Sequence, residues 1–331
     1  MKHITIIVPG GQSTLSTIAC IVGACEIFAE ANSYWKKIGK KEFHKIELAG
    51  ISGKVKYHEG SITIQPQIKI SAISKTDLII IPSSLIRSYE KADKGNQLLI
   101  DWIEEKYKQG AEVASMCSGA FMLASSGLLN GRTCSTHWAH ADAFRNQFPK
   151  VNMKEDKLIT DEHGIYTNGG AYSFLNLMVY LVEKYYDRQT AIYCSKVLQI
   201  EIDRQSQSSF AIFSTQKNHD DDVIKKAQSY IESNMTKKFS IEDLSSKFAI
   251  GRRHFDRRFI KATGNTPVEY SQRVKIESAK KEFESTRKNV NEVMYDVGYS
   301  DVKAFREVFR RITGMSPLEY RSKYNKEAEV R

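Results

Sequence analysis

Cys117 lies in the run Ala-Glu-Val-Ala-Ser-Met-Cys-Ser-Gly-Ala (residues 111–120), where an apolar strand pattern gives way to a helix of small residues. A thiol at that junction feels the positive end of the helix, which favours thiolate and suits a nucleophile on a tight turn. An inert small hydrophobe packed at the sheet edge is the competing reading of the same residue. His137-x-x-His140 has the spacing of a metal pair on a helix face, but no carboxylate or thiol ligand set accompanies it. No metal and no cofactor are therefore expected.

A second set of residues is suited to nucleic acid. In a helix over residues 252–263, Phe255, Phe259 and Ala262 form one apolar stripe, with Arg253, Asp256, Arg257 and Ile260 opposite. The window 247–261 holds six basic residues and one acidic one. Further on, Phe305, Phe309 and Ile312 form a similar stripe and leave Lys303, Arg306, Glu307 and Arg310 outward. Arginine's planar fork can bond guanine O6 and N7 together, lysine chiefly neutralises phosphate, and a carboxylate accepts from cytosine N4. With Arg252 at the helix start, the candidate DNA contacts are Arg252, Arg253, Asp256, Arg257, Lys303, Arg306, Glu307 and Arg310.

The elements that must hold these residues repeat. Residues 244–270, shifted by fifty, overlay residues 294–320 without a gap, with identity at Phe255/Phe305, Phe259/Phe309, Thr263/Thr313, Gly264/Gly314, Pro267/Pro317, Glu269/Glu319 and Tyr270/Tyr320. Each outward-basic helix follows a shorter one (241–248 and 290–297) across a short turn, which is helix-turn-helix spacing. Caps are explicit at Ser240, Asn289, Thr266-Pro267 and Ser316-Pro317. Residues 267–284 join the units; as helix they span ~27 Å, near the ~34 Å of one DNA turn.

Residues 1–200 alternate strand-like and helix-like segments. Apolar runs at 4–8, 46–51, 78–81 and 112–116 read as buried strands, and 61–70 alternates as a half-exposed one. Helices are expected over 14–35, 97–109, 118–126 and 171–186, with a hairpin around residues 161–164. That alternation predicts an α/β domain with a mostly parallel sheet. Residues 201–219 are polar and unpatterned and read as a linker, and residues 220–331 as an all-α domain.

Composition bounds the rest. The chain has 331 residues, enough for two domains, and 49 Lys+Arg against 39 Asp+Glu give a net charge of +10. The excess is spread almost evenly, +4 over residues 1–219 and +6 over residues 220–331, so charge alone does not establish a DNA partner. Five cysteines without CxxC spacing argue against a disulfide framework or zinc ribbon. The apolar stretch 18–29 is broken by Gly23 and Glu26, short of a membrane span. A cytoplasmic protein is expected.

The helical repeat resembles the AraC/XylS family of transcription regulators. The resemblance rests on Gly298-Tyr299-Ser300-Asp301, Ala304-Phe305-Arg306-Glu307-Val308-Phe309-Arg310-Arg311 and Gly314-Met315-Ser316-Pro317-Leu318-Glu319-Tyr320-Arg321. It implies two helix-turn-helix units on promoter DNA, contact with RNA polymerase, and base reading by Arg253, Asp256 and Arg257, then Lys303, Arg306 and Glu307. An acidic residue on each reading face departs from the common pattern.

Residues 3–190 resemble the superfamily of class I glutamine amidotransferases, PfpI-type proteases and isonitrile hydratases. The matching pieces include Pro9-Gly10-Gly11, Gly23-x-x-Glu26-Ile27-Phe28, Cys117-Ser118-Gly119-Ala120-Phe121, Gly127-Leu128-Leu129-Asn130-Gly131-Arg132, Ser135-Thr136-His137-Trp138 and Tyr166-Thr167-Asn168-Gly169-Gly170. The whole layout is similar to GlxA-type regulators. The resemblance implies a flavodoxin-like class I glutamine amidotransferase-like domain (1–200) that senses a small molecule and forms a homodimer, a linker (201–219) and a double helix-turn-helix domain (220–331). It also puts His137 close to Cys117. The catalytic set is thinned: Ser118 stands where PfpI-type proteases have histidine, Cys20 where hydratases have an acid, and Pro82-Ser83-Ser84 where others have Pro-Gly-Gly. A binding pocket of Cys117, Ser118, His137, Ser83 and Ser84 is expected, without enzymatic activity. The alternative is a cysteine-dependent hydrolase or hydratase using Cys117.

Overall fold

The computed structural model describes residues 2–10, 14–41, 44–84, 94–237 and 239–325, which form two compact units, Met1–Gln207 and Ser208–Arg331. Gly11, part of the first matching piece, lies outside the described residues. The strands of the first unit are β1 (Lys2–Ile7), β2 (His44–Gly50), β3 (Val55–Tyr57), β4 (Ile62–Ile64), β5 (Ile68–Lys69), β6 (Leu78–Ile81), β7 (Glu112–Met116), β8 (Thr133–Cys134), β9 (Asn152–Met153), β10 (Ile159–Glu162) and β11 (Ile165–Asn168). Its helices are α1 (Leu15–Lys37), α2 (Lys94–Lys108), α3 (Gly119–Ser125), α4 (Ala141–Gln147), α5 (Phe174–Tyr185) and α6 (Arg188–Val197).

The main sheet has the order β10-β11-β7-β6-β1-β2-β5, parallel throughout except for the β10–β11 hairpin. Alternate residues of its central strands feed two cores. Ile4, Ile6, Leu78, Ile80 and Met116 pack with apolar residues of α1 and α5, whereas Ile7, Ile79, Ile81 and Val113 pack with those of α2, α3 and Phe144 of α4. Helices on both faces explain why these strands read as continuous apolar runs. α1 has the length and apolar content of a membrane span, yet Thr17, Cys20, Ile21, Ala24, Ile27, Phe28 and Ala31 are buried. Helix α5 meets it so closely that a Cβ on Gly23 would lie 2.7 Å from the Phe174 ring.

One expectation needs correction. Residues 61–70 are not one strand: β4 pairs with β3 in a separate hairpin, and β5 joins the main sheet after Pro66. Proline has no N–H for a continuous ladder. Residues 201–219, read as a linker, divide between the two units at Gln207 and Ser208 and make local contacts in each. Ser206 bridges to Lys157 and Gln207 is fully buried in the first unit, while in the second unit Phe213 packs on a core and Gln216 accepts from Gln228 and Asn265. Within this stretch Gln207 is the buried polar side chain, and most of its neighbours keep contact with solvent.

The second unit is helical: α7 (Asp222–Ser233), α8 (Ile241–Lys247), α9 (Arg252–Thr263), α10 (Pro267–Ser285), α11 (Val290–Asp296), α12 (Val302–Thr313) and α13 (Pro317–Tyr324). One core gathers Ile224, Ile231, Leu244, Phe255, Phe259 and Tyr270; the other gathers Ile276, Phe283, Val293, Met294, Phe305, Phe309 and Tyr320. α10 supplies Tyr270 to the first core and Ile276, Ala279 and Phe283 to the second, so one helix carries both units.

Candidate functional site

The sequence repeat is reproduced in the packing of its shared residues. Phe255 and Phe259 sit 5.8 Å apart at 51°, Phe305 and Phe309 5.8 Å apart at 54°. Tyr270 meets Phe259 edge-on at 5.3 Å and Tyr320 meets Phe309 at 5.5 Å. Thr263 and Thr313 each donate to the carbonyl four residues back, at 2.9 and 2.8 Å. Gly264 and Gly314 end α9 and α12 with φ of 70° and 76°, the left-handed cap that glycine takes without strain. Thr266/Glu269 and Ser316/Glu319 then form reciprocal capping boxes behind Pro267 and Pro317. This framework fixes the direction in which α9 and α12 present their outer faces.

On those faces Arg253, Arg257, Lys303, Arg306, Glu307 and Arg310 are exposed. Arg252 and Asp256 differ. The Arg252 Nε donates to Asp256 Oδ2 at 2.8 Å, and its Nη1 reaches Glu242 on α8. Both residues are half-buried, and the pairing holds the Arg252 pKa above its usual range. Arg258 is likewise turned inward, in a two-pronged pair of 2.8 and 2.7 Å with Asp221, the cap of α7. Of the acidic residues on the two faces, Glu307 is the exposed one and Asp256 the engaged one.

Cys117 sits between β7 and α3 with φ of 53°, a left-handed conformation that costs a non-glycine residue roughly 1–2 kcal/mol. Its N–H donates to the Asn168 carbonyl at 3.0 Å, and its own carbonyl accepts from Thr136 Oγ1 at 2.7 Å. Only 6% of its surface is exposed. Gly119 permits the tight turn, since a Cβ there would lie 2.6 Å from the Pro82 carbonyl. Ser118 Oγ donates to the Ser84 carbonyl at 2.6 Å and accepts from the Ser84 N–H at 3.1 Å. Ser83 accepts from the Cys20 thiol at 3.7 Å, and burial pushes that thiol's pKa up.

Cys117, Ser118, Ser83 and Ser84 thus converge at the carboxyl ends of β6 and β7, beside the point where the strand order reverses from β1. Open α/β sheets bind ligands in such crevices. His137 is placed by its neighbour Thr136. Its Nδ1 accepts from the Ala139 N–H at 3.1 Å, so the neutral ring carries its proton on Nε2. The His137 and His140 rings lie 5.4 Å apart, and among the described residues no three metal-ligating side chains cluster. None of the five cysteines is paired in a disulfide. A cavity of about 480 Å³ lined by Gln97, Ile100, Ser125, Asn130, Phe148 and Lys150 contains none of the expected site residues.

One participant was invisible in the sequence. Gln207, in a polar run without pattern, is completely buried behind the 135–138 turn. The neighbouring motif held the clue: a Cβ on Gly169 would overlap the Gln207 amide at 2.1 Å.

Residues 21–184 match the DJ-1/PfpI family and residues 244–323 match a helix-turn-helix domain. This is an AraC-type transcriptional regulator with a DJ-1/PfpI domain. The regulator is similar along most of its length to HTH-type transcriptional regulator GbdR of Pseudomonas aeruginosa, 20% identical over 92% of this chain and 81% of the relative. It is also 24% identical to HTH-type transcriptional regulator GlxA of Rhizobium meliloti, over 63% of this chain and 64% of that one. The DJ-1/PfpI fold recurs in a crystal structure of a putative transcriptional regulator protein from Vibrio parahaemolyticus. That structure has a TM-score of 0.51 at 23% identity, covering 60% of this chain and 98% of the other.

Proposed function

We propose that α9 and α12 of this regulator read base edges through Arg253, Arg257, Lys303, Arg306, Glu307 and Arg310, under the control of a small molecule held beside Cys117. The observation that carries the reading is the duplicated framework: two helices share one internal geometry, and both turn basic side chains outward. Arg252 and Asp256 take a supporting part, because their charges are spent on each other and on Glu242. The regulator acts on promoter DNA in the cytoplasm as a homodimer formed through its first unit, and meets RNA polymerase there.

The crevice binds without turning over. What supports this is the arrangement of its donors: the Ser84 N–H, where an oxyanion donor would be wanted, is committed to Ser118 Oγ. His137 Nδ1 is committed to the Ala139 N–H. Covalent catalysis needs the thiol, a base and open oxyanion donors acting together. Hydrolysis or hydration of any amide or isonitrile that disappears in Cys117→Ala would overturn this.

Selection of binding sites from a random duplex library tests the reader. Arg257→Ala is expected to weaken binding to the selected duplex by ~1–3 kcal/mol and relax preference at one base pair. An unchanged affinity and an unchanged preference would remove Arg257 from the reading face.

A further inference from the structure

We propose that the Gln207 side chain couples occupancy of the Cys117 crevice to the start of the DNA-reading unit. The inference rests on the reading of that crevice as the effector site.

Gln207 is the last residue of the first unit, and Ser208 begins the second. The backbone leading to it is zipped to residues 156–158. Leu158 donates to the Gln205 carbonyl at 3.1 Å, Gln207 to the Asp156 carbonyl at 3.1 Å, and Ser206 Oγ to the same Asp156 carbonyl at 2.8 Å. The amide then turns inward and is wholly buried. Its Nε2 donates to the Thr136 carbonyl at 2.8 Å, with longer approaches to the Lys157 carbonyl and Ser135 Oγ at 3.3 and 3.4 Å. Its Oε1 accepts from the Trp138 N–H at 3.2 Å.

Thr136 is the shared residue. Its carbonyl holds Gln207, and its hydroxyl holds the Cys117 carbonyl at 2.7 Å. Two hydrogen bonds through one residue therefore link the strained turn at Cys117 to the end of the first unit. His137, expected at the crevice, lies between the two backbone groups that grip the amide, the Thr136 carbonyl and the Trp138 N–H. A molecule that shifts the Cys117 turn or the 135–138 segment moves the Gln207 acceptor and donor together.

A buried amide has two stable conditions: seated with its partners, or withdrawn into water. Intermediate positions leave its polar atoms unpaired in a space shaped closely around it, since Gly169 has no room for a Cβ beside Nε2. Such a peg behaves as a two-state element, which coupling between distant sites requires. Its release would also unzip the segment that leads into Ser208, changing the chain's exit without any covalent step.

The test uses the full chain, a fluorescent duplex selected with wild-type protein, and iodoacetamide as the probe that fills the crevice. Peptide mass spectrometry confirms modification at Cys117. Alkylation of wild type is expected to change duplex affinity by about fivefold or more, the lower range of ordinary allosteric coupling. Cys117→Ala protein treated identically should show no change, which assigns the effect to that thiol rather than to Cys25. In Gln207→Met, which keeps side-chain length and removes the hydrogen bonds, alkylation should shift affinity by less than ~2-fold. If Gln207→Met does not fold, Gln207→Glu removes the donor to Thr136 and is read in the same way. An equal response in wild type and variant overturns the peg and leaves the crevice reading intact. No response in fully modified wild type overturns the crevice reading, and the coupling falls with it.

Discussion

Arg252 gives its guanidinium to Asp256 and Glu242, and this separates the parts of the two acidic residues on the helices proposed to read DNA. Asp256 orients Arg252 and ties α9 to α8. Glu307 keeps an exposed carboxylate among Lys303, Arg306 and Arg310, where it is available to a cytosine N4 donor. Glu307→Ala should therefore relax preference at one base pair while binding to unrelated duplexes holds or tightens. Asp256→Ala should weaken binding to all duplexes alike and leave the selected sequence unchanged. Site selection with both variants separates the two roles, and a shift of preference in Asp256→Ala would count against the assignment. The sequence placed both residues on an outward face because helical periodicity sorts positions by angle. It could not show the ion pair, which depends on where the Glu242 side chain of a neighbouring helix ends up.

Elements of the second unit are legible because their signals are local. Phe spacing marks the buried stripe, and Gly264/Gly314 with Thr266/Ser316 mark where one helix stops and the next begins. Gly298 has a different duty. Its φ is 77°, and a Cβ would lie 2.8 Å from the Thr236 Cα and 2.9 Å from the Met235 carbonyl. The turn before α12 is thus pressed against the segment that follows α7, and Lys275 of α10 donates to the Gly298 carbonyl at 3.2 Å. Gly264, with a φ of 70°, has open space around it. Gly264→Ala is expected to cost ~1 kcal/mol, the left-handed penalty alone, and Gly298→Ala ~3 kcal/mol or more because backbone must also move. Urea titration of both variants measures the difference, and equal costs would refute the close packing. In the first unit the central strands were equally legible from their apolar runs. The β5 segment and residues 201–207 were not, because short, polar pieces take their structure from distant backbone partners.

Across the whole molecule, acid should weaken one unit before the other. His44 lies on β2 against the Tyr185 and Tyr186 rings, and burial, aided by the positive charge of Lys2, lowers its pKa from 6.5 to about 4. The unfolded chain takes up a proton below about 6.5 that the folded first unit refuses. Stability from this group is complete above that pH and declines as pH falls towards 4, by on the order of 2 kcal/mol. In the second unit the carboxylates of Asp221 and Glu269 are held below their ordinary values by Arg258 and the Thr266 backbone, so their losses begin lower. Melting scans at pH 7 and 4.5 should show the first unit's transition falling, with His44→Phe reducing the slope; an unchanged transition would contradict it. The repeat carries a last consequence. The two helices proposed to read DNA share a frame, but their outward positions disagree: Arg253 against Lys303, Asp256 against Arg306, Arg257 against Glu307, Ile260 against Arg310. One chain on a duplex therefore has a front and a back. On the proposed reading its site spells a different word from each end, and flipping that site in a promoter should reverse the way the bound protein faces.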